Sequence, residues 1–124
     1  MPQNAVRQAL DAIEAARRQH GDLGHRDHIS HLELIDPADV ARFRELGVIA
    51  NYQPLWAFAD DYITKLTMPF LGPQRSSRLY AIGTLYRSGA VVAFGSDWPV
   101  SSANPLEEIQ IAITRMGLAG KTRT

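Results

Sequence analysis

Apolar residues recur at helical spacing early in the chain: Val6, Leu10, Ile13 and Ala16 share one stripe. Asn4 is placed to cap free amides, and Arg17 and Arg18 stand beside the negative dipole end. The spacing predicts a helix from Ala5 to His20, which Gly21 ends. After the polar stretch Asp22 to Asp27, the run His28 to Ile35 is short, β-compatible and bounded by turn chemistry, and predicts a strand. Asp36-Pro37-Ala38-Asp39 signals a helix start: Asp36 can accept from free amides, proline suits the first helical position, and Asp39 favours the positive dipole end. Val40, Phe43 and Leu46 give that helix its inward stripe, and Gly47 its left-handed stop. Val48 to Tyr52 follows at once as a second strand, closed by Gln53-Pro54.

Between Leu55 and Leu71, aromatic residues mix with Asp60 and Asp61 without a clean period. This predicts a long excursion with one helical turn in it, and such loops are often functional. Gly72-Pro73 opens a further helix, with Leu79, Ile82 and either Leu85 or Tyr86 facing inwards, until Gly89 stops it. Ala90 to Phe94 is a third strand, apolar on both faces as a strand covered on both sides would be. Gly95 to Pro99 breaks it. Asn104-Pro105-Leu106-Glu107 then repeats the cap, proline and acidic pattern seen at Asp36, starting a last helix in which Ile109, Ile113 and Met116 continue the buried stripe until Gly117. The strict alternation argues for right-handed crossovers and a parallel sheet, hence an α/β fold. A repeat of proline-started helix, glycine stop and apolar strand, before Val48 and again before Val91, resembles units of a (β/α)8 barrel. A full barrel needs roughly 250 residues, so the 124 present amount to about half; with no linker, residues 1–124 read as one piece of one domain.

Basic and acidic side chains number 13 each, so there is no formal net charge. That speaks against nucleic acid or an anionic membrane surface as a partner. An apolar share of 45% and a charged share of 21% are those of a folded globular chain. Without cysteine there is neither a disulfide framework nor a thiolate nucleophile, and a metal must rest on His, Asp, Glu or water. The lack of cysteine fits a reducing compartment, with the cytoplasm as the expected location. Arg7, Asp11 and Glu14 interrupt the opening stretch, which does not read as a signal peptide, and no apolar run is long enough to span a bilayer.

In parallel α/β folds the reactive groups gather at the carboxyl ends of strands. Three places carry useful side chains there: His31, the Asn51-Tyr52-Gln53 group, and Asp97. His31 follows Ile29 by two residues, so alternation sends both to one side, with Ser30 and Leu32 on the other. Its imidazole is either a metal ligand or a histidine satisfied by a neighbouring carbonyl, and spacing leaves both open. His25 and His28 read as surface residues. Asp97 follows Val91, Ala93 and Gly95 on one face, a set that could line a tight barrel and leave a carboxylate at its mouth. It can bind a metal, take a proton, or simply cap the turn. Tyr52 and Gln53 can hydrogen-bond a substrate, and Trp56 and Trp98 can wall an apolar pocket, although such aromatics are more often packed. Ser96, Ser101 and Ser102 lack a nucleophile elbow, and no glycine-rich phosphate loop invites a nucleotide.

Three blocks, His28 to Pro37, Gly47 to Pro54 and Ala93 to Val100, together resemble the metal-dependent amidohydrolase superfamily. Within it they look like the amidohydrolase-3 branch of YtcJ-like and N-substituted formamide deformylase-like enzymes. The likeness covers nearly the whole chain, in the family's order. It implies part of a (β/α)8 barrel, with strands corresponding to the sixth to eighth, that binds one or two divalent metals, usually zinc, and hydrolyses an amide or related C–N bond. On that likeness His31 is a metal ligand on the sixth strand, and Asp97 ends the eighth as ligand and proton shuttle. Gln53-Pro54 closes the seventh strand beside a small-molecule amide, with Tyr52, Gln53, Trp56 and Trp98 as substrate contacts. The family's His-x-His pair, its lysine and its fifth-strand histidine have no counterpart here, so the sequence looks like the C-terminal part of a barrel, cut at both ends. Two metal ligands fall short of the three that a catalytic zinc site generally takes. Three strands also leave open edges and a bare apolar face. The expectation is a marginal or self-associating chain, inactive alone. The alternatives to an enzyme are a non-catalytic piece that packs against a missing half or partner, and a small flavodoxin-like binder.

Overall fold

In the computed structural model, which describes residues 3–118, helix α1 spans Gln3–His20. Val6 and Leu10 form its buried face, while Ile13 is half-buried and Ala16 exposed. The helix starts earlier than its spacing predicts, so Asn4 lies within the first turn and does not cap it. Gly21, at a φ of 77°, donates its N–H to Arg17 O at 2.8 Å and ends the helix. Strand β1 takes only His28–Ser30 of the predicted His28 to Ile35. His31 adopts a φ of 57°, and this left-handed step breaks the alternation: Ile29 is buried, His31 exposed and Leu32 buried again. His31 therefore does not share a strand face with Ile29, and Leu32, Leu34 and Ile35 reach the core from a loop.

Asp36 caps the next helix as its chemistry predicts, accepting from Ala38 N at 3.0 Å, with Pro37 in the first position. A 3-10 turn over Pro37–Asp39 continues into α2, Val40–Glu45, which buries Phe43. Gly47, at a φ of 59°, leads into β2, Ile49–Tyr52. β2 pairs in parallel with β1, His28 opposite Ile49 and Ser30 opposite Asn51. Ala50 N donates to Val91 O at 2.9 Å beside β3, Val92–Phe94, giving a sheet of order β1-β2-β3. The α/β reading holds, with strands shorter than expected. β3 is not covered on both sides: it is an edge strand, and Val91 and Phe94 are exposed.

Contacts gather in two units. The first comprises the described residues up to Tyr52 with Ala81–Ala93, and holds α5, Ile82–Arg87, packed on α2. Leu85 and not Tyr86 faces inwards on α5. Arg42 donates to Asp11 at 2.7 Å, to Glu14 at 2.9 Å and to Asp39 at 3.2 Å, while Arg7 reaches Asp39 at 3.0 Å. Asp39, a helix-dipole acid by sequence, is thus the buried end of an ion network tying α1 to α2. Asp11 above all, then Asp39 and Glu14, hold the Arg42 guanidinium charged beyond its ordinary range, against the desolvation that opposes them.

The second unit comprises Gln53–Tyr80 and the described residues from Phe94. The expected long excursion contains a 3-10 turn over Pro54–Trp56, a π-helical segment over Tyr62–Thr67 and α3, Met68–Leu71. The single helix predicted after Gly72 breaks, because α4 is only Pro73–Ser76 and Tyr80 takes a φ of 50°. α6, Pro105–Thr114, starts as predicted, with Asn104 accepting from Leu106 N at 3.1 Å. Its buried face is not the predicted one: Glu108 and Ile111 are buried, whereas Ile109 and Ile113 are exposed. α6 packs against the Pro54–Trp56 turn. Arg115 ends the helix, not Gly117. Gly117 serves close approach instead, since a Cβ there would fall 2.7 Å from Phe58 Cε2. Gly117→Ala is expected to destabilise by about 1–3 kcal/mol, read as a lowered urea midpoint.

Burial raises the Glu108 carboxyl above its ordinary range, and no described residue forms an ion pair with it. A folded-state value above the unfolded one means that the contribution to stability is complete below the unfolded carboxylate range and is lost as pH rises through the raised range. Glu108→Gln is therefore expected to flatten stability against pH above about 4, with wild type and variant converging below it; parallel curves would refute this.

Candidate active-site residues

Strand ends position the predicted side chains. Ser30 faces Asn51 in the β1-β2 register, so one step further His31 and Tyr52 leave adjacent parallel strands at the same level. His31 is exposed, Tyr52 fully buried. Gln53, buried, precedes the 3-10 turn that follows β2, and Trp56, 39% exposed, is the last residue of that turn. Trp56 N donates to Gln53 O at 3.1 Å and Ala57 N to Pro54 O at 2.9 Å, which closes that turn. Asp97 lies three residues beyond β3, exposed and at a φ of 56°. Because β3 ends at Phe94, strand alternation does not carry Val91, Ala93, Gly95 and Asp97 along one face as the sequence suggested. Trp98 is 70% exposed. His31 and Tyr52 belong to the first unit, and Gln53, Trp56, Asp97 and Trp98 to the second. His25 and His28 are exposed, as read from sequence.

The loop carrying Asp97 is held by its own short bonds. Val100 N donates to Asp97 O at 2.8 Å, Ser101 Oγ donates to Ser96 O, and Trp98 N donates to Ser96 Oγ at 3.3 Å. The Trp98-Pro99 peptide is cis. Ser102 Oγ accepts from Asn104 N at 3.2 Å. These serines shape the turn before α6.

Imidazole and carboxylate are donors that divalent metals take. Among the described residues, however, no three His, Asp or Glu gather where they could hold an ion. His31 and Asp97 each carry a donor of the kind divalent metals take, and a catalytic zinc site generally uses three protein ligands. Two residues escaped the sequence reading. Glu108 was passed over beside Glu107, the acid expected in the first turn, and Arg115 carried no local signal at all: its Nε donates to Ala57 O at 2.7 Å and its two terminal nitrogens to Tyr80 O at 2.8 Å and Leu79 O at 3.1 Å.

Comparison with known proteins gives a consistent picture. The sequence profile of the amidohydrolase family matches residues 2–123. The chain is 34% identical over 110 residues to protein LONG AFTER FAR-RED 3 of Arabidopsis thaliana, which covers 86% of this chain and 18% of that one. It is 28% identical over 111 residues to the amidohydrolase homologue YtcJ of Bacillus subtilis (strain 168), covering 90% and 20%. Its fold is similar to the crystal structure of an uncharacterized metal-dependent hydrolase from Pyrococcus furiosus, with a TM-score of 0.72, 28% identity, and coverage of 91% and 22%. The chain spans about a fifth of the length of each of these proteins.

Proposed function

The chain belongs to the amidohydrolase family, and from that premise we propose that it supplies part of the active site of a metal-dependent hydrolase acting on the C–N bond of a small amide or formamide. One observation supports this reading above the others. Four non-glycine residues among those described have a positive φ, and two of them, His31 and Asp97, are the histidine and aspartate at strand carboxyl ends. Left-handed backbone costs an L-residue about 1–2 kcal/mol and collects at functional sites.

The metal reading draws on the donor types of His31 and Asp97 and on the likeness to the metal-dependent hydrolase of Pyrococcus furiosus. Zinc, one ion or two, is the preferred assignment. When bound, a divalent ion supplies the Lewis acid that makes water a nucleophile near neutral pH. Such an ion would be held by His31 through a ring nitrogen and by Asp97 through a carboxylate oxygen. The Asp97 carboxylate also takes the proton of the attacking water and returns it to the departing nitrogen. Tyr52 and Gln53 orient the substrate by hydrogen bonds, while Trp56 and Trp98 offer apolar surface to its nitrogen substituent. In this reading the three strands are the sixth to eighth of a (β/α)8 barrel in a cytoplasmic protein, other segments provide the remaining metal ligands, and neither nucleic acid nor membrane is a partner. Incubating the complete polypeptide that carries this chain with N-substituted formamides and a divalent metal tests it. Tight metal binding without amide turnover would overturn the C–N assignment.

A second reading, a barrel piece that is inactive and packs against a missing half, is favoured by α6. Leu106, Ile109 and Ile113 are all exposed at i, i+3 and i+7, one helical stripe with nothing over it among the described residues. The 124-residue chain alone is expected to self-associate, and Ile113→Glu to lower its mass in sedimentation; a monomer at every concentration would argue against this reading.

A further inference from the structure

Helices that stop on a left-handed residue usually use glycine there, since a Cβ in that conformation crowds the backbone. α6 stops on Arg115, at a φ of 57°. A large side chain in a place that glycine fills at less cost calls for a task, and the structure supplies one. The Arg115 guanidinium spans three backbone carbonyls, Ala57, Tyr80 and Leu79, at 2.7 to 3.1 Å. A rigid planar fork fixes three acceptors in a way that a single ammonium on a flexible stem does not.

The first of those carbonyls matters most. Ala57 is the residue whose N–H closes the turn onto Pro54, and Trp56 N closes it onto Gln53. Within so short a turn, holding Ala57 O sets where Gln53 and Trp56 stand. Gly117 adds an independent constraint nearby, because its missing side chain lets the chain after α6 press on the Phe58 ring. Tyr80, whose carbonyl takes a second bond, is itself held at a φ of 50°.

We infer that Arg115 is a positioning residue that sets the Gln53–Trp56 wall and so decides which substituent on the amide nitrogen is accepted. This rests on the reading of Gln53 and Trp56 as substrate contacts. The test uses the complete polypeptide with two probes, N-methylformamide and N-benzylformamide. Arg115→Gly removes the fork while relaxing the backbone, Arg115→Lys keeps the charge without the fork, and Trp56→Ala reports on the wall itself. Both Arg115 variants are expected to raise KM for the benzyl substrate about tenfold and leave kcat within about twofold, with the methyl substrate unmoved. Added guanidinium ion should restore KM in Arg115→Gly; if that variant does not fold, Arg115→Lys carries the same comparison. A lowered melting temperature with KM unchanged in the Arg115 variants, while Trp56→Ala raises KM, overturns the inference and leaves the wall standing. An unchanged KM in Trp56→Ala as well overturns both.

Discussion

Under the proposed hydrolase function, Asp97→Asn, made in the complete polypeptide, is expected to lower kcat/KM for amide hydrolysis by about 10²–10⁴-fold with little change in melting temperature. The size is that of general acid–base catalysis by one positioned group. Two features separate chemistry from folding at this position. Asp97 is exposed, so the substitution buries no new polar group. It also sits at a φ of 56°, a conformation that asparagine visits as readily as aspartate, so the substitution adds no backbone strain. The bond from Val100 N to Asp97 O involves only backbone and survives. What disappears is a carboxylate able to hold a proton, since the amide of asparagine does not take one. Steady-state kinetics beside thermal melting and metal analysis checks this. Turnover within about threefold of wild type, at equal metal content, would remove Asp97 from the reaction.

Sequence and structure agree where the chemistry is local. Asp36 and Asn104 cap their helices with their own side chains, and Gly21 and Gly47 take the left-handed steps that end theirs, because each choice depends on a few neighbouring atoms. Agreement fails where a local pattern admits two outcomes. Leu32, Leu34 and Ile35 look like a strand continuing from Ile29, yet one left-handed residue at His31 turns them into a loop that still fills the core. Alternation places a side chain only while the backbone stays extended, and it does so neither at His31 nor at Asp97. α6 shows a related failure: Ile109 and Ile113 form the more apolar stripe, but Glu108 and Ile111 face inwards. The contacts of Arg115 were out of reach in another way, since its acceptors lie 35 to 58 residues away and no spacing rule connects them. The nature of the site was carried by three short blocks that resemble a family, and its backbone strain became visible only in the fold.

Phe43→Ala is expected to cost about 3–5 kcal/mol, roughly a fifth or more of the stability of an ordinary domain. Phe43 is completely buried, the sole buried side chain of α2, and α2 is the helix that packs on α5 in the first unit. Removing its ring leaves a void in a core whose other side chains, Leu85 and Val48 among them, are fully enclosed, and close packing leaves little room for such a void to close. The ion network beside it offers a contrast. Arg42 reaches three carboxylates, but Asp11 is largely exposed and Glu14 partly so, and such pairs are worth about 0–1 kcal/mol each. Only Asp39 is buried, and it keeps Arg7 if Arg42 is lost. Arg42→Met, which retains the apolar stem, is therefore expected to cost about 1–2 kcal/mol, clearly less than Phe43→Ala. Urea unfolding of both variants measures the order directly through their midpoints at a common slope. Finding Arg42→Met the more damaging would mean that charge, and not apolar burial, holds α2 in place.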